Sequence, residues 1–372
     1  MKETNRTPLI RLAKRGYMDP RKAMLIRAAS ILFALILGSI PIALSGANPF
    51  KAYGIIVSGS LSNAIYLKQT IKIAIPLLVC SLAIAPCFKM KFWNIGAEGQ
   101  LTFGAICASF FAIHFGAKLP PIVILPLMAV AAAIGGGFWG FLPGFFKAKY
   151  NTNETLFTLM MNYIALGIVR WLQGGPWEGR KGTQIVPFFH KNTYLPQVFG
   201  VQCGWIIALI LVVLMHIYMT KTKHGYEVAV IGDSINTARY AGMNVSWIMI
   251  RTMILSGALC GIAGFLILAG ENHTINVAIS GGVGFTAITV SWLSQLNAFI
   301  MVAITALLSI ISKGSKTLNQ KMGVPSAVAD IVSGILLFCM LGCEFFINYQ
   351  VIFRKKSPKK SSDKSTNKGV SA

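Results

Sequence analysis

Long apolar runs, separated by short polar stretches, set the pattern of this chain. A helix crossing a bilayer needs about 20 mostly apolar residues. Nine runs approach or reach that length, at 24–44, 71–88, 95–116, 121–146, 154–172, 204–220, 248–270, 298–312 and 325–347. A further apolar stretch, 284–296, is too short for an ordinary span. Cytoplasmic flanks are the ones enriched in Lys and Arg, so Lys89/Lys91, Lys147/Lys149 and Lys221/Lys223 assign alternate loops to the inside. Two basic, cytoplasmic tails require an even number of crossings, and 284–296 is therefore read as a short or broken tenth span. This count leaves Lys313, Lys316 and Lys321 outside, against the rule; a re-entrant 284–296 would export the whole C-terminal tail, a larger violation. The predicted fold is an all-α polytopic membrane protein of about ten transmembrane helices, some broken or short, with both termini cytoplasmic. A basic tail over 1–23 precedes a membrane domain over 24–353, and a basic, disordered tail covers 354–372.

Composition sharpens this picture. Of 372 residues 55% are hydrophobic and only 12% charged, about half the charged share of a soluble domain. The net charge of +23 is concentrated at the ends, with eight Lys or Arg in 1–27 and seven in 354–368. That charge reports topology rather than nucleic-acid binding, since no folded soluble region carries it. The first apolar run is too long for a cleaved signal peptide and lacks a small-residue cleavage site, so it is retained as a span. Seven cysteines lie scattered through apolar segments without a CxxC pair and read as small hydrophobes, not as a metal or disulfide framework.

Against this background the polar residues inside the spans carry the information. The stretch 92–100, FWNIGAEGQ, places Asn94, Glu98 and Gln100 at membrane depth. On a helix Asn94 and Glu98 would share one face, and Gly96 and Gly99 would admit a close neighbour. A carboxylate in hydrocarbon costs a few kcal/mol, about 2.5–3.5 on insertion scales, so Glu98 must face a partner or a wet cavity. The pathway reading is favoured for these three residues over a structural hydrogen bond. Glu154, Thr158 and Asn162 recur every four residues and form a polar stripe, either a pathway wall or interhelical hydrogen-bonding glue. Glu154 also fits a helix N-terminal charge at the membrane surface. Gly96–Gly104 and Gly281–Phe285 are both Gly-interrupted starts of apolar segments, the kind of pair that marks binding regions in transporters built from repeats.

Two loops stand out. The external loop 173–203 combines aromatics with Pro176, Pro187 and Pro196, fitting either a docking surface or an interfacial aromatic belt. The cytoplasmic loop 221–247 contains one short helix, started by Asp233 or Ser234 and stopped by Gly242. Its apolar ridge, Ile235, Ala238 and Ala241, would need a partner's groove to pack against.

No Walker A pattern, HExxH, GxSxG or His/Cys cluster occurs, so the chain is expected to hold no metal or cofactor, to bind no ATP itself and to have no catalytic residues. The strings FWNIGAEGQ (92–100), NETLFTLMMNY (153–163), GYEVAVIGDSINTARYAGMNV (225–245), LSGALCGIAG (255–264) and GVPSAVADI (323–331) resemble the permeases of bacterial ATP-binding cassette importers of the branched-chain amino acid/ribose superfamily. They are most similar to its nucleoside and simple-sugar subgroup. The resemblance implies a type II importer permease in the bacterial inner membrane. It also implies a cytoplasmic ATPase, a second permease, identical or homologous, and an extracytoplasmic substrate-binding lipoprotein. It implies that the loop 221–247 couples to the ATPase through Gly232, Asn236, Arg239, Tyr240 and Gly242, beside the Ala238 ridge. The substrate expected is a purine nucleoside, with ribose-like sugars or riboflavin as alternatives. From another class, an ion-coupled secondary transporter using Glu98 remains the rival. In 284–293 Ala287 and the bulky Trp292 stand where this family usually has smaller residues, which, if that segment lines the path, implies a substrate other than the family's usual nucleosides.

Overall fold

The computed structural model describes residues 10–14 and 19–353; the tails expected over 1–23 and 354–372 fall mostly outside the described residues. The helices are α1 (Pro20–Leu44), α2 (Pro49–Leu61), α3 (Ala64–Lys89), α4 (Ala97–Phe115), α5 (Pro121–Tyr150), α6 (Glu154–Gln173), α7 (Gly204–Lys221), α8 (Lys223–Asp233), α9 (Ile235–Tyr240), α10 (Val245–Ile267), α11 (Val283–Leu293), α12 (Ala298–Met322) and α13 (Ser326–Asn348). Strands are marginal: β1 (Ile10–Lys14) pairs antiparallel with β4 (Tyr349–Phe353), and β2 (Gln197–Val198) with β3 (Val201–Gln202). Among the described residues six helices, α3, α5, α6, α7, α10 with its extension to Asn272, and α12, are long and apolar enough to cross a membrane. The part of α1 from Ala28 and α2 form a pair bent by 109°. The chain is a polytopic membrane protein.

Several boundaries differ from the sequence pattern, each for a local reason. Helix α2 was not expected, because it is too short and too interrupted by Gly and Ser to register as a span. It starts where Asn48 accepts bonds from Phe50 N and Lys51 N, with Pro49 in the first helical turn. Helix α3 begins seven residues before the expected 71, at the Asn63 cap. In the loop 221–247 two helices form rather than one. Thr222 caps α8, and Ser234, one of the two caps expected, accepts from Thr237 N to start α9.

The centre of the molecule is the crossing of α4, α5 and α10, where glycines bring backbones into contact. A Cβ on Gly136 would lie 2.2 Å from Gly257 O, and one on Gly261 2.0 Å from Ala132 O. Around this core the helices run between two ends. One end gathers Lys89 beside Gly232, Lys147 beside Glu154, and Arg251 beside Glu227. At the other end, Leu195 N donates to Ala269 O, Phe189 N to His273 O, and Asn192 Nδ2 to Leu119 O. The β1–β4 register, Ile10 opposite Phe353, brings the flanks of α1 and α13 together.

Candidate functional site

The segment 92–96 is not helical, so Asn94 does not share a helix face with Glu98 as the spacing suggested. Lys91 takes a positive φ of 60°, Asn94 N donates to Phe92 O, and Gly96 N donates to Asn94 Oδ1 at 3.0 Å, so α4 starts only at Ala97. The Asn94 side chain then folds under the helix start. Its Nδ2 donates to Gln100 Oε1 at 3.2 Å and to Ser256 Oγ of α10 at 3.1 Å, while its Oδ1 accepts from Gln100 Nε2 at 3.2 Å.

Helix α6 completes the bracket. Asn162 Oδ1 accepts from Gly99 N at 2.8 Å, its Nδ2 donates to Ile95 O at 3.0 Å, and Thr158 Oγ1 accepts from Ile95 N at 3.2 Å. These bonds reproduce what a continuous helix would have supplied to an interrupted, buried backbone. Gly99 is obligatory here, since a Cβ would stand 2.9 Å from Asn162 Cα.

Glu98 reaches the opposite way. Its Oε1 accepts from Gly282 N at 3.0 Å and its Oε2 from Gly284 N at 2.7 Å, at the start of α11. The two free N–H groups of a helix N-terminus, with its positive dipole end, suit a carboxylate. Gly281 and Gly282 take φ of 53° and 77°, a left-handed turn that points these donors at Glu98. The two Gly-interrupted segments singled out in the sequence thus meet, clasped by one carboxylate.

Asn94, Glu98, Gln100, Thr158 and Asn162 are all buried, at 5% exposure or less, and each bonds to this chain. The stripe on α6 divides at its first residue. Glu154 sits in the first turn and pairs with Lys147 Nζ at 2.9 Å, in the surface position the sequence allowed. It lines a cavity of about 760 Å³ together with Lys91, Asp233, Asn236 and Arg239.

The α8–α9 pair borders the same cavity. Gly232 and Ala238 are turned inward: a Cβ on Gly232 would meet Lys89 O at 2.0 Å, and Ala238, fully buried, belongs to the core cluster that also holds Phe92, Val228, Ile231 and Val245. Of the expected ridge, Ala238 seats on this chain's own core, while Ile235 and Ala241 stay exposed. Asn236, Arg239 and Tyr240 are exposed, Tyr240 by 93%, and Gly242 holds the left-handed conformation, φ 75°, that ends the turn. The anchor of α8 is Glu227, which accepts from Arg251 of α10 at 2.8 Å. Burial pushes the Glu227 carboxyl up, but the Arg251 guanidinium, with His224 and Lys223, holds it below the usual carboxylate range.

Sequence reasoning missed the partners of these residues: Ser256, and the backbone N–H groups of Gly282 and Gly284. The Gly281-Gly282-Val283-Gly284 run was the available signal.

Residues 66–341 match the family described as branched-chain amino acid transport system / permease component. The chain belongs to this permease family. It is similar to a guanosine ABC transporter permease of Bacillus subtilis, 31% identical over 84% of this chain and 92% of that protein. A glucose ABC transporter permease of Haloferax volcanii is 29% identical over 90% and 93% of the two chains. A nucleoside ABC transporter permease of Lactococcus lactis is 27% identical over 94% and 99%. Permeases of this family form the membrane component of their transport systems, and the polar network described above, from Asn94 to Gly284, falls within the matched region.

Proposed function

We propose that this chain is the permease subunit of an ATP-binding cassette importer that carries nucleosides, with a purine nucleoside as first candidate. The reading rests on the family match over 66–341 and on two relatives whose substrates are guanosine and nucleosides. A sugar is the second reading, favoured by the relative described as a glucose permease.

In this account the chain crosses the bacterial inner membrane ten times, through α1, α3, α4, α5, α6, α7, α10, the 273–282 segment with α11, α12, and α13. Both tails lie in the cytoplasm, in keeping with their paired flanks and basic charge. The end carrying Lys89, Lys147 and α9 is cytoplasmic, and the loop 173–203 with Lys316 is external.

The single observation that carries the mechanism is the clasp of Glu98 on Gly282 and Gly284, which joins the two interrupted helices. Half-helices meeting at membrane depth are where transporters build pathways. Glu98, Asn94, Gln100, Thr158 and Asn162 hold the broken backbone beside that pathway, and Glu154 stands at its cytoplasmic mouth. An ATPase docks on the exposed face of α9 through Asn236, Arg239 and Tyr240, and its ATP-driven closure shifts the permease between inward- and outward-open populations. A second permease copy or homologue and an external lipoprotein receptor complete the system.

Reconstitution with the ATPase and receptor in proteoliposomes tests this reading. Uptake of labelled guanosine should require ATP and both partners. Uptake by the lone chain driven by a pH gradient would replace it with an ion-coupled transporter.

A further inference from the structure

Three aromatic rings meet at the far end of α11. The indoles of Trp93 and Trp292 stack with centroids 5.4 Å apart and planes inclined by 27°, and Phe88 closes behind them, 5.8 Å from Trp93 and 5.4 Å from Trp292. Phe88 is buried, but Trp93 and Trp292 remain 46% and 40% exposed. The pair therefore leaves aromatic surface exposed above a buried base.

What this surface faces follows from the backbone next to it. Gly281 is exposed, and a Cβ built on Gly282 would meet nothing within 4 Å. This non-helical turn lies level with Glu98, inside the membrane-spanning region. Irregular backbone open to hydrocarbon is not tolerated at that depth; it must line water or protein. Phe285, 45% exposed, and Trp292 are seven residues apart on α11, so they share one face, and the stripe runs about 10 Å along the helix. The turn that opens α11 thus borders water or protein, and the exposed residues Phe285 and Trp292 lie on the helix that follows it.

We propose that Trp93 and Trp292 form a stacking platform for the flat heteroaromatic base of the substrate on the cytoplasmic side of the Glu98 clasp, making them specificity-determining residues of the permease. This rests on the nucleoside reading above. Every nucleobase has a π-face, and base–aromatic stacking is tolerant of base identity while discriminating against solutes without a flat ring. The platform lies between the clasp and the end marked by Lys89, so it meets the base after it has passed the clasp and before release. A stacking contact that forms as the base passes lowers the barrier to passage and leaves capture by the receptor unchanged.

The experiment uses the whole complex of permease, ATPase and receptor in proteoliposomes, with guanosine as probe. Trp292→Leu keeps apolar bulk without the π-face, and Trp292→Phe keeps a smaller π-face. The maximal uptake rate should fall about tenfold in Trp292→Leu, the scale of one lost stacking contact, and recover to within about threefold in Trp292→Phe. The receptor's affinity for guanosine should not change. Photolysis of 8-azidoguanosine with the wild-type complex should label peptides containing Trp93 or Trp292, in competition with unlabelled guanosine. Equal uptake by the Leu and Phe variants would reduce the pair to packing against the second permease and overturn the proposal, as would labelling confined to other segments. A wild-type complex that imports glucose but no guanosine overturns the nucleoside reading itself, and the platform with it.

Discussion

Glu98 and Gly284 lie 186 residues apart in sequence, yet the carboxylate Oε2 of the first accepts the backbone N–H of the second at 2.7 Å. The contact is possible only because position 284 lacks a side chain: a Cβ there would stand 2.4 Å from Glu98 N and 2.7 Å from Glu98 Cα. Neither atom is the mobile end of a side chain. Gly284→Ala should therefore push α11 off α4 and abolish uptake. Gly282→Ala meets no neighbour and bears only the strain of its positive φ, so it should retain more uptake than Gly284→Ala. Uptake assays on the two variants at matched membrane levels compare them.

The glycine crossing of α4, α5 and α10 makes a separate prediction about stability. Gly136→Ala forces a methyl to within 2.2 Å of a backbone oxygen, and overpacking of this kind costs about 1–3 kcal/mol. Its thermal midpoint in detergent should drop by several degrees. Gly167→Ala in α6, where nothing lies within 4 Å, should leave it unchanged or raise it slightly.

For the cytoplasmic helix α9, burial separates two kinds of defect. Ala238 is fully buried in this chain, so Ala238→Glu places an unpaired charge in the core and should lower the yield of folded permease. Tyr240→Ala and Arg239→Glu alter exposed side chains and should leave yield and melting intact. Both should reduce ATPase co-purification at least fivefold. Loss of yield with intact ATPase binding in the last two variants would move coupling to another surface.

The ion pair of Glu227 with Arg251 predicts a pH window. A carboxyl held below its ordinary value stabilises the fold fully above the unfolded value, about pH 4.3. That contribution is lost as the pH falls through the depressed folded value. The melting-temperature difference between wild type and Glu227→Gln should thus stay constant from pH 8 to pH 5 and shrink at lower pH.

Cysteine labelling tests the proposed sidedness. In a cysteine-free background Arg180→Cys and Lys316→Cys should react with an impermeant maleimide in intact cells. Thr237→Cys should react only after permeabilisation. The opposite pattern would invert the map.

The apolar runs made most of the long helices legible, because hydrocarbon permits little else over twenty residues. They did not reveal where helices break. FWNIGAEGQ reads as an ordinary helix start at 95, but Asn94 hydrogen-bonds its own backbone and delays α4 to Ala97. Helix α2 was invisible because its thirteen residues carry three glycines or serines in their last four positions; it is supported by tertiary contact, such as Thr317 Oγ1 donating to Gly59 O. The polar residues of the site were legible as residues, since carboxylates and amides are costly at membrane depth. Their partners were not, because the partners of Glu98 are backbone N–H groups, which any sequence carries. Ala238 was legible as part of an apolar ridge, but which surface the ridge meets depends on the placement of α3 and α10 beneath it.

The most direct test of the account is guanosine uptake by variants of Glu98. Glu98→Leu fills the space but leaves the buried N–H of Gly284 unpaired, at about 1–3 kcal/mol, and the part-buried N–H of Gly282 without its acceptor. Glu98→Gln restores one acceptor oxygen and turns an amide N–H₂ toward the other donor. At equal membrane abundance Glu98→Leu should transport less than a tenth of wild type, and Glu98→Gln should fall between them. Wild-type uptake by Glu98→Leu would contradict the account, because the two interrupted helices would then work without the clasp that joins them.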